Sequence, residues 1–232
     1  MPGVRPCFTR LRSRCVYPPR QHCPAGSGAF DMKQHNEPMD AANREQDLEI
    51  FCRQVRARSS ELQEAMRLVA QRKLTSVMVV ILRQELDSMV RVMFLLAQRD
   101  RTLRTQLIED SVHGRRWRVP TTAGKATFVT DKELVELGES FTGWAGNVYR
   151  FGCSYIHLSN LHDHQARDPF QALSVQEREA ISAQLNNYHG ARLSTESDFA
   201  ELAQWVPRVL GKISTNLELY LKQLEEDGEL VS

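Results

Sequence analysis

Arg150 and His157 are the two residues of this chain best suited to chemistry. They bound the run Arg150-Phe151-Gly152-Cys153-Ser154-Tyr155-Ile156-His157 and stand seven positions apart. Seven residues turn an α-helix through about 700°, only about 20° short of two full turns, and separate the Cα atoms by about 10 Å. If the stretch is one helix, both side chains lie on the same face, with the small residues Gly146 and Cys153 leaving a hollow between them. Arginine offers a rigid fork of donors to phosphate oxygens and stabilises charge that develops on them. Histidine near neutral pH can take a proton from a ribose 2′-hydroxyl or return one to a leaving oxygen. The pair would therefore suit phosphodiester cleavage without a metal. The competing reading is bland: such pairs arise by chance in helical proteins and satisfy ordinary polar contacts. Spacing alone does not separate the two.

A second cluster lies in the segment 113–130, where Arg115, Arg116, Arg118 and Lys125 supply a charge of +4 and Trp117 sits among the arginines. A basic loop with one aromatic can grip a phosphate backbone and stack a base, or it can be a solvated connection. Arg115, Arg116, Trp117 and Arg118 are the candidate nucleic-acid contacts. His157, His162 and His164, beside Asp163, are of metal-ligand type, but no cysteine pair or His-Glu-x-x-His accompanies them. Cys7, Cys15 and Cys23, with His22, follow an eight-residue spacing that matches no metal motif. No metal and no cofactor are expected.

The elements that would position these residues read as helices. Between Asp40 and Leu74 the apolar residues Leu48, Phe51, Val55, Leu62, Met66 and Val69 follow helical steps and predict a surface helix with one inward stripe. Residues 76–98 are apolar almost all round, which suits the centre of a bundle. Their one polar stripe, Arg83, Asp87 and Arg91, either pairs along itself or faces a polar cleft. A short amphipathic helix follows over 101–112, with Gly114 as its stop. Thr130-Asp131-Lys132-Glu133 is a capping box. It opens a helix expected to run to about Ser159 on the stripe Leu134, Leu137, Phe141, Ala145, Val148, Gly152 and Tyr155. That helix carries four glycines, each costing about 1 kcal/mol against alanine, so a close backbone approach or a ligand should offset them. Ser174-Val175-Gln176-Glu177 opens a helix that ends at Gly190, and Thr195 to Asp198 repeats the signature. Pro207 should kink or divide the last helical segment. There is no convincing strand alternation and no internal repeat. The expected fold is all-α: a single up-and-down bundle of about five to seven helices over 39–228.

Composition sets outer limits. Of 232 residues, 41% are hydrophobic and 25% charged, as in ordinary globular proteins. The longest apolar run, Val77 to Leu82, is far short of the ~18 residues of a membrane span, so no membrane partner is expected. Residues 1–31 hold five arginines against one aspartate; with a whole-chain charge of +1, they carry +4 and the remainder −3. They also hold five of the nine prolines and no apolar periodicity, so residues 1–38 are expected to form a disordered basic tail. Met32 or Met39 would then be the working start. An odd cysteine count, with Cys52 and Cys153 in helical patterns, points to a reducing compartment and a cytoplasmic location.

The layout resembles the HEPN-like helical domains, all-α bundles in which an arginine is followed some four to six residues on by a histidine near one end of a helix. Here six residues, Phe151 to Ile156, separate Arg150 from His157. The run Leu82 to Phe94 is similar to the long central helix of bacterial members, many of them uncharacterised, and the likeness covers about residues 45–225. The chain departs from the pattern at Phe151, where active members tend to carry a polar residue. The resemblance implies a dimeric, metal-independent endoribonuclease in a toxin or defence context. Arg150 would hold phosphate, His157 would serve as general acid or base, and Asn160 would orient the imidazole or the RNA. Members without an intact pair act as binding or scaffold domains, the alternative expectation for this chain.

Overall fold

The computed structural model describes residues 41–121, 125–163 and 166–230. The basic tail over 1–38 and the histidine at 164 lie outside the described residues. The chain is an all-α helical bundle with one small hairpin. The helices are α1 (Ala41–Gln71), α2 (Thr75–Ala97), α3 (Arg101–Val112), α4 (Asp131–Thr142), α5 (Ala145–Ile156), α6 (Val175–His189), α7 (Phe199–Ala203) and α8 (Val206–Glu225). Strands β1 (Arg118–Pro120) and β2 (Ala126–Phe128) lie between α3 and α4. No helix among the described residues is long and apolar enough to cross a membrane.

The apolar girdle of α2 puts it at the centre. Leu86, Met89, Val92, Met93 and Leu95 are fully buried, and α1, α4, α5 and α8 pack around them. Each outer helix turns one stripe inward: Phe51, Cys52, Leu62 and Met66 from α1, and Val209, Ile213, Leu217, Leu221 and Leu224 from α8. Burying that apolar surface is the main favourable term in the fold. The polar stripe of α2 lies at the edge of this core as an ion ladder. Asp87 accepts from Arg91 at 3.1 Å and from Arg58 of α1 at 3.3 Å. Asp131 of α4 receives Arg83 at 3.4 Å and Arg91 at 3.3 Å.

Three local expectations require correction. The segment 131–159 is not one helix. Gly143 takes φ +69°, a left-handed conformation that glycine adopts without a side-chain clash, and it ends α4. Thr142 Oγ1 and Glu139 Oε2 then accept from the first amides of α5, at 3.2 Å from Ala145 and 2.7 Å from Gly146. The segment 113–130 is not all loop. Arg116-Trp117-Arg118-Val119 alternates outward and inward, and Arg118, Val119 and Pro120 pair with Phe128, Thr127 and Ala126 in an antiparallel hairpin. The helix after residue 190 begins later than Thr195: Asp198 caps α7 and forms the capping box with Glu201.

Other signals coincide with element ends. Thr130 and Ser174 form capping boxes, Gly190 closes α6 at φ +66°, and Pro207 sits in the first turn of α8, dividing it from α7. Two of the four glycines meet α2 closely. A Cβ on Gly138 would lie 2.8 Å from Val90 Cγ1, and one on Gly152 would lie 2.7 Å from Arg83 Cβ. Close helix-to-helix approach accounts for those two positions.

Candidate functional site

Arg150 lies on the exposed side of α5. Side chains on a helix lean toward its N-terminus, and this one does: a guanidinium nitrogen donates to Asn147 Oδ1 at 2.6 Å, one turn back. Beyond it stands Glu177 in the first turn of α6. Its carboxyl is held below the usual carboxylate range, chiefly by the Ser174 hydroxyl and amide it accepts from and in smaller part by the Arg150 charge. Phe151, the position that departs from the HEPN-like pattern, packs inward edge-on against Tyr155 and Phe199, at ring-centroid distances of 5.3 and 5.9 Å.

His157 is not part of that helix. α5 ends at Ile156, and His157 closes it in extended conformation (φ −98°, ψ 145°), its amide donating to Cys153 O at 3.1 Å. The two-turn spacing that would put Arg150 and His157 on one helical face therefore does not apply. The guanidinium runs toward the N-terminal end of α5, while His157 leaves from the C-terminal end. Asn160 opens a three-residue 3-10 turn, Asn160–His162, and is exposed, as is His157. His162 is committed to the turn: its Nδ1 accepts from the Ser159 amide at 3.3 Å, and its ring stands edge-on to Tyr155 at 5.6 Å. Among the described residues, no group of histidine, cysteine, aspartate and glutamate side chains could hold a metal ion.

The basic segment is sorted by its hairpin. Arg115 is taken up by carboxylates, Glu109 at 2.6 Å and Asp110 at 2.7 Å, and those hydrogen bonds, Asp110 first, raise its pKa above the usual arginine value. Trp117 turns inward and is 5% exposed. It stacks on Phe94 at 5.8 Å and donates Nε1–H to Ser111 Oγ at 2.8 Å, while Arg91 covers it at 5.4 Å. Its faces are not open to a base, contrary to the expectation from the sequence.

Arg116 and Arg118 point the other way, out to solvent. Their guanidinium carbons lie 4.2 and 4.4 Å from the centroid of the Phe128 ring. Neither makes an ion pair with a carboxylate among the described residues. Phe128 is 38% exposed and stands directly across the hairpin from Arg118. The sequence reading missed Phe128, because its role depends on strand register. The available signal was the two-residue alternation over 116–119, which places Trp117 and the arginines on opposite faces.

In comparison with known proteins, no family model, no curated protein and no solved structure matches the chain.

Proposed function

We propose that this chain is a non-catalytic helical module that binds single-stranded RNA on the β1–β2 hairpin. The observation that carries this reading is the exposed Phe128 ring covered by Arg116 and Arg118, two guanidinium groups with no carboxylate partner among the described residues. A stacked guanidinium keeps its in-plane N–H groups available for phosphate oxygens. Arginine planes stacked on an exposed aromatic ring are a platform on which single-stranded bases can stack in turn. Arg115 and Trp117 take no part in the contact: one is neutralised and the other is buried.

The test is fluorescence anisotropy with a labelled single-stranded RNA across a salt series. Single-strand binding loses log affinity with log salt at about 0.7 per phosphate contact. Replacing both Arg116 and Arg118 by alanine should reduce that slope by about 1.4. Phe128→Ala should weaken binding by about 1–3 kcal/mol at unchanged slope. Equal slopes for wild type and the double variant would overturn the assignment, as would no binding by the wild type at low salt.

Cleavage at Arg150 and His157, by a HEPN-like homodimer in a toxin or defence setting, is the second reading. It is favoured by the exposure of Arg150, His157 and Asn160, which leaves all three accessible to RNA or to a second copy. Incubating RNA with the protein and a chelator decides it. The nuclease reading expects cleavage by wild type and none by His157→Ala, whereas the binding-module reading expects none by either.

A further inference from the structure

Away from the hairpin, the middle of α2 holds a carboxylate without a cation. Glu85 is fully buried. Its Oε1 accepts from Ser59 Oγ of α1 and from Ser214 Oγ of α8, each at 2.5 Å. Among the described residues its Oε2 has no hydrogen-bond partner, and no arginine, lysine or histidine pairs with it. Burying a charge without a countercharge is strongly unfavourable, and an unsatisfied buried oxygen calls for a reason.

The two serines that hold Glu85 also line an open cleft of about 490 Å³ between α1 and α8. The cations of that cleft are already committed. Arg56 is held by Glu218 at 3.0 Å and Glu225 at 2.6 Å, and Arg67 is paired with Glu64. With Glu85 counted, these two arginines face four carboxylates. Each serine spends its single hydrogen on Glu85, so the hydroxyls can otherwise only accept; Ser59 Oγ already accepts from Gln63 Nε2 at 3.2 Å, which leaves it one further lone pair toward the cleft. Because both Oγ atoms lie 2.5 Å from one oxygen, they are within about 5 Å of each other. A single nitrogen at ordinary hydrogen-bond distance, about 2.7–3.2 Å, spans that gap. Leu217 and Leu221 supply an apolar wall beside them.

We propose that the α1–α8 cleft binds a primary alkylammonium group. The ammonium donates to Ser59 and Ser214, the buried Glu85 carboxylate supplies the countercharge, and the alkyl chain lies along Leu217 and Leu221. An ammonium has three donors and no acceptor, which matches a pair of acceptor-only hydroxyls backed by negative charge. A free small amine and the lysine side chain of a protein carry this same group.

Calorimetric titration of the full chain with putrescine and, separately, with N-acetyl-lysine amide tests it, with 1,4-butanediol as the uncharged control. One-site saturable binding of at least one ammonium probe is expected, and none of the diol. Putrescine alone would identify a free amine as the source, and the lysine derivative alone a side chain. Glu85→Gln should weaken binding about tenfold or more, since it removes the charge opposite a desolvated cation. Ser60→Trp, at an exposed position on the cleft wall, should abolish binding while leaving Glu85 and its serines in place. That variant decides the matter if Glu85→Gln does not fold. No saturable binding of either ammonium probe, equal binding of the diol, or full affinity in Ser60→Trp would overturn the proposal.

Discussion

Replacing Arg104 by alanine should lower the unfolding free energy by about 3–5 kcal/mol, since it strands several buried backbone acceptors at about 1–3 kcal/mol each. Arg104 is 4% exposed and joins three chain segments. One guanidinium nitrogen donates to the Leu96 and Gln98 carbonyls at 3.1 Å each, at the end of α2. The other donates to Gly228 O at 2.9 Å and to Asp227 Oδ1 at 3.2 Å, just beyond α8. The last carbonyls of a helix have no partner within it, so the arginine serves as a C-terminal cap brought in from α3. Burial lowers its pKa, and the neighbouring Arg101 adds to that, but an arginine keeps its charge in any case. Alanine would leave these acceptors without their donor and release the C-terminal segment, whose Leu230 amide also bonds to Leu96 O at 3.2 Å. Urea unfolding should show a lower midpoint at unchanged slope. For a domain of this size the melting temperature should drop by roughly 6–20 °C. A loss under about 1 kcal/mol would mean that the contact network contributes little beyond what water supplies.

The second large effect should come from Trp117→Ala, with a loss of about 3–5 kcal/mol, as for buried aromatic residues cut back to alanine. The indole fills the space between α3, Phe94 of α2 and the base of the hairpin, and the Trp117 carbonyl accepts from the Val129 amide at 3.1 Å. Trp117→Phe keeps the stack but loses the hydrogen bond to Ser111 and part of the indole volume, so it should cost about 1–3 kcal/mol, less than the alanine variant. The same pair of variants separates two roles for the residue. A tryptophan that stacked a base would lose RNA affinity on substitution and leave stability nearly unchanged. A tryptophan of the core loses stability first, and that is the expected result in a urea titration followed by anisotropy. RNA affinity lost at wild-type stability would sink the inward placement.

The helices, their order and most of their ends were legible because their causes are local. Capping boxes at Thr130 and Ser174, the left-handed Gly190 and the fixed φ of Pro207 act within a turn or two of chain, and the girdle of α2 announces its burial by composition alone. The break at Gly143 was less legible, because glycine is compatible both with a helix held close to its neighbour and with a helix stop. Contact with α2 decided between them: Gly138 and Gly152 lie against it, while a Cβ on Gly143 would meet nothing within 4 Å and that residue turns the chain at φ +69°. Placing Arg150 and His157 on one face assumed unbroken helical rotation, and one extended residue at the end of α5 removes that phase relation. The choice of Phe128 over Trp117 rests on strand register, which reverses the direction of side chains with each residue and is set by pairing across the hairpin. Glu85 shows the limit most plainly. In sequence it is one acid on a central helix; only the packing of α1 and α8 brings Ser59 and Ser214 to it from positions 26 and 129 residues away. Local chemistry therefore determined which segments coil and where they stop, and three-dimensional packing decided which polar groups face one another, because those partners are distant in the chain.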